Sequence, residues 1–366
     1  MAEIRVENLH KSFAAFTAVR DSTFIVPDGD FFCLLGPSGC GKTTTLRMIA
    51  GLELPTSGRI MLGGEDVTFK RASQRDIAFV FQLFALYPHM NVRTNIAYPL
   101  RSQAMLRDDV NRRVDEAARI LRITHLLDRS VSGLSSGDRQ RVALGRAIVR
   151  EPLAFLLDEP LGALDAEFRD VMCGELRALH DRLKATTVYV THDQLEAMAM
   201  ADTIAFMNHG MVEQLGTPQD IYDRPASLFV ADFIGSPPMN FLPFPGRVAP
   251  GDRTVRVNNV DIALPEIREG TEDAELVLGV RPEHIELSDD SSLRAEVIDA
   301  EYLGTTQIVT LSMTAGASVK ARIPASIHVQ PGEHTGLSFQ PGLLSLFDRA
   351  SGRALRTALH DESTHG

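Results

Sequence analysis

The sequence predicts an α/β domain that contains a helical insertion and is followed by a mostly β domain built as a small barrel. Three observations lead to this prediction. An apolar run at 31–35 is followed directly by a glycine-rich stretch and then by a helical pattern. Within a stretch from about residue 88 to 150, apolar residues recur at helical spacings over 108–127. Beyond residue 240, short β-type runs alternate with Gly, Pro and Asp turns.

The glycine-rich stretch GPSGCGKTT, at 36–44, matches the phosphate-binding pattern G-x-x-x-x-G-K-T of the P-loop. Glycines let the backbone turn tightly, so that successive N–H groups face phosphate oxygens, and the following helix adds its partial positive N-terminus. We expect Lys42 to reach the β- and γ-phosphates of a nucleotide and the Thr43 hydroxyl to ligate Mg²⁺. The first domain is therefore predicted to be an α/β P-loop NTPase. Its candidate phosphate-binding residues are Gly36, Ser38, Gly39, Cys40, Gly41, Lys42, Thr43 and Thr44.

Two adjacent acids follow the apolar run at 153–157, which predicts a second buried strand. At a strand tip, Asp158 can hold Mg²⁺ through water, and Glu159 can orient or polarise an attacking water. Such a pair alone is often only the start of a loop. Because a P-loop lies upstream, we interpret the pair as the Walker B acids of the same nucleotide site.

Polar residues also follow two further predicted strands. Gln82 comes after the run at 77–81, and His192 comes after the run at 187–190. Polar groups at the carboxyl ends of such strands face the ligand crevice of an α/β sheet. His192 is then placed to donate to a γ-phosphate. Taken alone, Gln82 also fits a turn residue, and His192 fits a packing or capping histidine.

For two further sets of candidate nucleotide-binding residues, the sequence also leaves a purely structural role open. Phe13 or Phe16, ahead of the P-loop, could stack on an adenine ring, or either could be a core aromatic. Asp165 precedes a helix predicted over 166–183, where it could serve simply as the N-cap.

The bulk composition narrows the class of protein. The net charge of −11 over 366 residues argues against a mainly electrostatic nucleic-acid binder. No apolar run reaches membrane-spanning length, and the N-terminus begins as an alternating strand, so we expect no signal peptide. Cys33, Cys40 and Cys173 form no disulfide or metal pattern, which fits a reducing cytoplasm.

The domain boundary is predicted at the linker-like stretch that begins with Gly235. The nucleotide-binding domain then spans 1–235, with its helical subdomain at about 88–150. The β-barrel domain spans 236–350, and the polar segment 351–366 is predicted to be a flexible tail.

Together these motifs resemble, in order and spacing, the ATPase of ABC transporters. The resemblance covers residues 1 to about 235 and makes Leu134-Ser-Ser-Gly-Asp138 the signature motif. It implies that Ser135 and Gly137 contact ATP held by an opposite subunit, and that Asp165 belongs to the D-loop. It also implies that Phe13 stacks on adenine, that Gln82 forms the Q-loop and contacts Mg²⁺, and that Glu159, His192 and Gln82 serve catalysis.

The second domain resembles the C-terminal regulatory domain of the maltose-importer subfamily, which has the oligonucleotide/oligosaccharide fold. The stretches that carry this resemblance are GSPPMNFL at 235–242, GVRPEH at 279–284, YLG at 302–304 and ALYPHM at 85–90. It implies an ATP-hydrolysing importer subunit for a sugar, sugar alcohol or glycerol-phosphate-type solute. The implied partners are two transmembrane permease subunits and an external solute-binding protein. The chain is then peripheral, at the cytoplasmic face of the inner membrane, and forms ATP-dependent dimers.

The signature departs from the family pattern Leu-Ser-Gly-Gly-Gln at two positions. Ser136 adds a side chain where glycine allows close approach, and Asp138 brings a carboxylate near a polyphosphate. An acid in a first helical turn is also favourable, which offsets part of this cost. The D-loop has Gly162-Ala163 where the family has Ser-Asn. The D-loop change weighs less, because Asp165 is kept. The signature changes leave open a weakly or non-hydrolysing partner in a heterodimer with a second ATPase.

Two rivals from other classes fit the sequence less well. Soluble ABC ATPases of DNA repair or translation carry a second cassette or long coiled-coil insertions, and neither pattern occurs here. A P-loop GTPase needs an Asn-Lys-x-Asp motif for guanine, and no lysine in this chain follows an asparagine.

Overall fold

The structure is a computed structural model that describes residues 2–82, 84–102, 105–162, 164–313 and 317–361. It divides into two compact units, Met1–Pro218 and Gln219–Gly366. No helix of the described part of the chain is both long and apolar enough to cross a membrane.

The first unit combines strands and helices in the order expected of an α/β domain. Its strands are β1 (Ile4–Phe13), β2 (Phe16–Val26), β3 (Phe31–Leu35), β4 (Ser57–Leu62), β5 (Glu65–Asp66), β6 (Ile77–Val80), β7 (Ala154–Asp158), β8 (Thr186–Thr191), β9 (Thr203–Asn208) and β10 (Met211–Gly216). Its helices are α1 (Lys42–Ala50), α2 (Val92–Ser102), α3 (Arg107–Ile120), α4 (Ser136–Ile148), α5 (Ala166–Leu183) and α6 (Gln194–Met200).

The main sheet has the strand order β10-β9-β3-β8-β7-β6, and β9, β3, β8, β7 and β6 run parallel. Every residue of β3, β7 and β8 is buried. This explains why these strands are continuous apolar runs rather than alternating ones. Because parallel strands end at the same edge, the segments that follow β3, β6, β7 and β8 meet there.

The helical insertion lies between β6 and β7 and contains α2, α3 and α4. The amphipathic pattern of α3 buries Val110, Val114, Ala117 and Ala118 on one face. A separate antiparallel sheet, in the order β2-β1-β4-β5, completes the unit. The predicted α/β class with a helical insertion is confirmed.

The second unit is mostly β. After two short helices, α7 (Pro218–Asp223) and α8 (Leu228–Phe233), its strands are β11 (Asn240–Val248), β12 (Thr254–Val257), β13 (Val260–Ala263), β14 (Thr271–Val280), β15 (Ile285–Leu287), β16 (Arg294–Tyr302), β17 (Thr306–Met313), β18 (Ser318–Pro324), β19 (His334–Phe339) and β20 (Ser345–Asp348). They form sheets in the orders β11-β14-β20, β12-β13 and β15-β19-β16-β17-β18. One apolar core is built from alternating inward residues such as Val309 and Leu311.

The structure groups α8 and most of α7 with the second unit, whereas the sequence places the boundary after residue 235. A buried arginine gives the physical reason. Arg281 is 1% exposed and donates to the carbonyl oxygens of Tyr222 and Ala231, at 2.6 and 3.3 Å. These bonds connect both short helices to the β domain. No local sequence pattern predicts them, because the acceptors are backbone oxygens.

The end of the chain also differs from the predicted flexible tail at 351–366. Leu355 and Thr357 are buried, and backbone bridges join Ala354 to Phe347 and Thr357 to Ile267. Residues 351–357 therefore pack within the second unit, because two apolar side chains and a buried hydroxyl interrupt the polar stretch. Residues 362–366 lie outside the described residues.

Candidate nucleotide-binding site

The phosphate loop lies between β3 and α1, and its glycines are required by close backbone contacts. A Cβ on Gly36 would lie 2.1 Å from the Met207 carbonyl oxygen. A Cβ on Gly41, which has φ +104°, would lie 2.4 Å from the Ala18 carbonyl oxygen. Backbone atoms cannot move aside as a flexible side chain can, so only glycine fits at both positions.

Lys42 is folded back against the loop that precedes it. Its side chain is buried, and Nζ donates to the carbonyl oxygens of Gly36 and Pro37, both at 2.8 Å. The Cys40 sulfur lies 3.8 Å from the same ammonium, and burial raises the pKa of the Cys40 thiol. Exposed Ser38 and Gly39 form the outer part of the loop.

Thr43 and Asp158 meet across the sheet edge. The Thr43 hydroxyl donates to Asp158 Oδ1 at 3.0 Å, which joins the first turn of α1, where Thr44 also lies, to the end of β7. Asp158 is 8% exposed, and burial raises its pKa, although the Thr43 hydroxyl opposes the shift. An ionised carboxylate held in this place without a cation costs free energy.

Glu159 is the meeting point of the other strand-end residues. Gln82 Nε2 donates to Glu159 Oε2 at 3.1 Å, and His192 Nδ1 lies 3.2 Å from Glu159 Oε1. Glu159 itself has φ +43°, an uncommon value for a residue with a side chain. Two residues that are far apart in sequence thus meet at the carboxylate of a third. The structure places Gln82, Asp158, Glu159 and His192 at the edge of the main sheet where the phosphate loop also lies.

Ser135, Gly137 and Asp165 form a second group at two helix starts. Ser135 is the N-cap of α4, and Asp165 is the N-cap of α5, where its carboxylate accepts from the Phe168 N–H at 2.9 Å. The Phe168 ring covers Gly137 so closely that a Cβ there would lie 2.1 Å from it. The two helix starts are therefore packed together. Asp165 is the N-cap of α5, which is the local role that the sequence also allowed.

Phe13 lies at the hairpin that joins β1 to β2. Its ring stacks on Phe16 with centroids 5.4 Å apart, and the Lys11 ammonium lies 4.7 Å from the Phe13 centroid. Both rings are exposed, which distinguishes them from core aromatics. Strand β2, which begins at Phe16, also passes beside the phosphate loop, because a Cβ on Gly41 would lie 2.4 Å from the Ala18 carbonyl oxygen.

Family models match the chain in three places. A model described as ABC transporter matches residues 19–162, which include the phosphate loop and the two acids after β7. A model described as MalK OB fold domain matches residues 235–285, and one described as TOBE domain matches residues 278–347.

Curated relatives match nearly the whole chain. The uncharacterised ABC transporter ATP-binding protein y4oS of Sinorhizobium fredii is 46% identical, over 96% of this chain and 94% of that protein. The trehalose import ATP-binding protein SugC of Mycobacterium tuberculosis is 45% identical, over 97% of this chain and 98% of that protein. This chain belongs to the ABC transporter ATP-binding proteins.

Two further comparisons extend the family assignment. The sn-glycerol-3-phosphate import ATP-binding protein UgpC of Yersinia pseudotuberculosis is 45% identical to this ABC protein, over 96% of this chain and 99% of that protein. A solved dimer of the ATP-binding cassette MJ0796, in a post-hydrolysis state with ADP and Pi, matches with a TM-score of 0.53 and 28% identity, over 59% of this chain and 98% of that chain. The family predicted from the motifs is confirmed.

The structure of this ABC protein adds one residue that the sequence did not single out. Arg169, in the first turns of α5, donates to Asp193 Oδ2 at 2.8 Å and to the Leu164 carbonyl oxygen at 3.1 Å. Its Nε also lies 3.5 Å from buried Glu196. Arg169 therefore joins the loop before Asp165 to the loop that contains His192. A basic residue four positions after Asp165 was the only local signal.

Proposed function

We propose that this ABC protein is the ATP-hydrolysing subunit of an importer that takes up a sugar, sugar alcohol or glycerol-phosphate-type solute through partner membrane subunits. The observation that carries the proposal is the convergence of Gln82 and His192 on Glu159, beside the paired Thr43 and Asp158. Relatives named for trehalose and sn-glycerol-3-phosphate import support the solute class.

ATP binding begins at the phosphate loop. Lys42 exchanges the carbonyl oxygens of Gly36 and Pro37 for β- and γ-phosphate oxygens, so its buried ammonium gains an anionic partner. The backbone N–H groups of residues 38–44 and the N-terminus of α1 bind the remaining charge. Phe13, exposed at its hairpin, stacks on the adenine ring.

The oxygen donors beside the loop fit a magnesium ion. Mg²⁺ takes hard oxygen ligands, usually one or two from the protein together with phosphates and water. The Thr43 hydroxyl and the Asp158 carboxylate, already 3.0 Å apart, and the Gln82 side-chain oxygen are the residues that would hold it. When bound, the ion neutralises charge on the β- and γ-phosphates. It would also remove the cost of the buried Asp158 charge.

Glu159 orients and polarises the attacking water. Its two carboxylate oxygens are held by different neighbours, Gln82 on Oε2 and His192 on Oε1. A carboxylate fixed in this way pays little to reorganise during the reaction, which is how positioning contributes to phosphoryl transfer. His192 and Gln82 then respond to the γ-phosphate, because Gln82 is hydrogen-bonded to the group that acts on the water and His192 Nδ1 lies 3.2 Å from it.

Two copies of the chain form an ATP-dependent homodimer in this proposal. Ser135, Gly137 and Asp165 lie together at the starts of α4 and α5 and serve the ATP held by the opposite copy. The dimeric cassette bound to ADP and Pi supports such an arrangement.

The partners follow from the importer assignment. We infer two transmembrane permease subunits that receive the ATP-driven closure through the helical insertion, and an external solute-binding protein that delivers the solute. The chain is then peripheral, at the cytoplasmic face of the inner membrane. We infer no nucleic-acid partner, in keeping with the net charge of −11.

The test is to tag the chain in its native host, solubilise membranes gently and identify co-purifying proteins by mass spectrometry. We expect two permease subunits and a solute-binding protein, and the binding protein then gives access to the solute. A second, different ATPase in the complex would contradict the homodimer. Recovery without membrane partners, while a control transporter stays intact, would refute the importer assignment.

A further inference from the structure

In the first turn of the signature helix α4, the carboxylate of Asp138 is hydrogen-bonded to the N-cap residue, Ser135. Asp138 donates its backbone N–H to Ser135 Oγ at 3.1 Å, and the Ser135 hydroxyl donates in turn to Asp138 Oδ2 at 2.8 Å. A serine hydroxyl has a single proton. While that proton is directed to Asp138, Ser135 has none to offer to a phosphate oxygen.

The arginine that contacts Asp138 is shared with a second carboxylate. Arg141 Nη1 lies 3.4 Å from Asp138 Oδ1. The same guanidinium makes two bonds to Glu175 on α5, through Nε at 3.1 Å and through Nη2 at 3.2 Å. One arginine is thus shared between two carboxylates, and these three side chains carry a net negative charge. Arg139 adds a positive charge nearby, with Nη2 3.4 Å from Ser136 Oγ.

We propose that Asp138 is a positioning residue that restrains the signature motif and opposes its binding to ATP. It keeps the Ser135 hydroxyl in an internal bond and adds a like charge where the polyphosphate of the opposite copy must approach. This inference rests on the proposed function. Closure of the dimer around ATP then requires that the bond between Ser135 and Asp138 break and that Arg141 take up the freed carboxylate. Asp138 thereby sets how tightly, and how readily, two copies close.

A purely structural role would have different consequences. An acid in the first turn of a helix stabilises that helix by interaction with its dipole, with or without a nucleotide. Removing such an acid lowers thermal stability and leaves ATP-dependent association unchanged or weaker. Restraint of Ser135 and repulsion of phosphate instead predict tighter association once the charge is removed.

The test compares Asp138→Asn and Asp138→Gln, each in the full chain with Glu159→Gln to trap ATP. Analytical ultracentrifugation gives the dimer dissociation constant with saturating ATP and Mg²⁺. We expect both substitutions to lower it about five- to tenfold in total, because one like charge is removed at each of the two partly exposed ionic contacts of the dimer. Because the effect is electrostatic, the gain should shrink at about 1 M salt.

Asp109→Asn is the matched control, because Asp109 lies in the first turn of α3 and pairs with Arg112 at the same spacing as Asp138 with Arg141. It should leave the dissociation constant unchanged. Unchanged or weaker dimers in both Asp138 variants, with melting temperatures lowered in the absence of nucleotide, would overturn the inference. If neither the Glu159→Gln parent nor any variant binds ATP, the proposed function is refuted, and the inference about Asp138 is refuted with it.

Discussion

The C-terminal end of the phosphate-loop helix α1 is held by one buried arginine, and its removal gives a sharp prediction. Arg75 is 1% exposed. It donates to the carbonyl oxygens of Met48 at 2.6 Å, Ile49 at 2.8 Å, Thr68 at 2.9 Å and Lys70 at 3.0 Å. Burial lowers its pKa to about 10, so the charge is retained at neutral pH. Four backbone acceptors therefore depend on this one cation.

Arg75→Met keeps much of the side-chain volume and removes all four of these bonds, although the Met48 oxygen still accepts from the Gly51 N–H at 3.1 Å. Each lost bond to a charged donor costs about 1 kcal/mol or more, so we expect the free energy of unfolding of the first unit to fall by about 4 kcal/mol. At about 2–4 °C per kcal/mol, the transition temperature should fall by roughly 10 °C.

Scanning calorimetry of the full chain measures this directly. The transition that ATP shifts upwards belongs to the first unit, because a ligand stabilises only the part that binds it. Arg59→Met, at an exposed position of β4, is the control and should change that transition by less than about 1 kcal/mol. If Arg75→Met and Arg59→Met melted alike, the argument that Arg75 secures α1 would be refuted.

Three further predictions concern the nucleotide site. Lys42→Ala should weaken ATP affinity about 100-fold by isothermal titration calorimetry, because the buried ammonium is lost; unchanged affinity would contradict its role. Asp158→Asn should melt at or above the wild-type temperature without nucleotide at pH 7. Since burial raises the Asp158 pKa above 3.8, the cost of its charge appears as pH rises through the raised value, and the advantage of asparagine should vanish in acid. Arg169→Met should lower kcat about tenfold with little change in KM for ATP, because it positions the His192 loop, whereas Arg177→Met on the same helix should not.

The sequence was sufficient to predict which residues meet at the sheet edge, but not their pairing. Gln82, Asp158 and His192 could be placed because each lies at the end of a predicted buried strand, and parallel strands end together. That Glu159 accepts from Gln82 and approaches His192 depends on side-chain geometry between segments far apart in the chain. The same holds for Arg75, whose acceptors are backbone oxygens that no residue identity reveals.

Strand β11 shows how local signals can mislead. It contains Pro243 and Pro245, residues that disfavour a strand, and no strand was predicted there. In the structure Leu242 and Phe244 point inward, and the two prolines alternate with them on the exposed side. The strand is at the edge of its sheet, in the order β11-β14-β20, where a missing N–H is tolerated. Only the tertiary position of the strand resolves the conflict.

The proposed function assigns ATP hydrolysis to Glu159 of this chain when the chain is assembled with its membrane partners. The most direct measurement is the steady-state release of phosphate by the co-purified complex, compared between the wild type and Glu159→Gln, with ATP binding measured on both. We expect the wild type to turn over, and Glu159→Gln to bind ATP equally well and lose at least about 100-fold in kcat. Turnover that survives in Glu159→Gln, or a wild-type complex that binds ATP without hydrolysing it, would refute the role of Glu159.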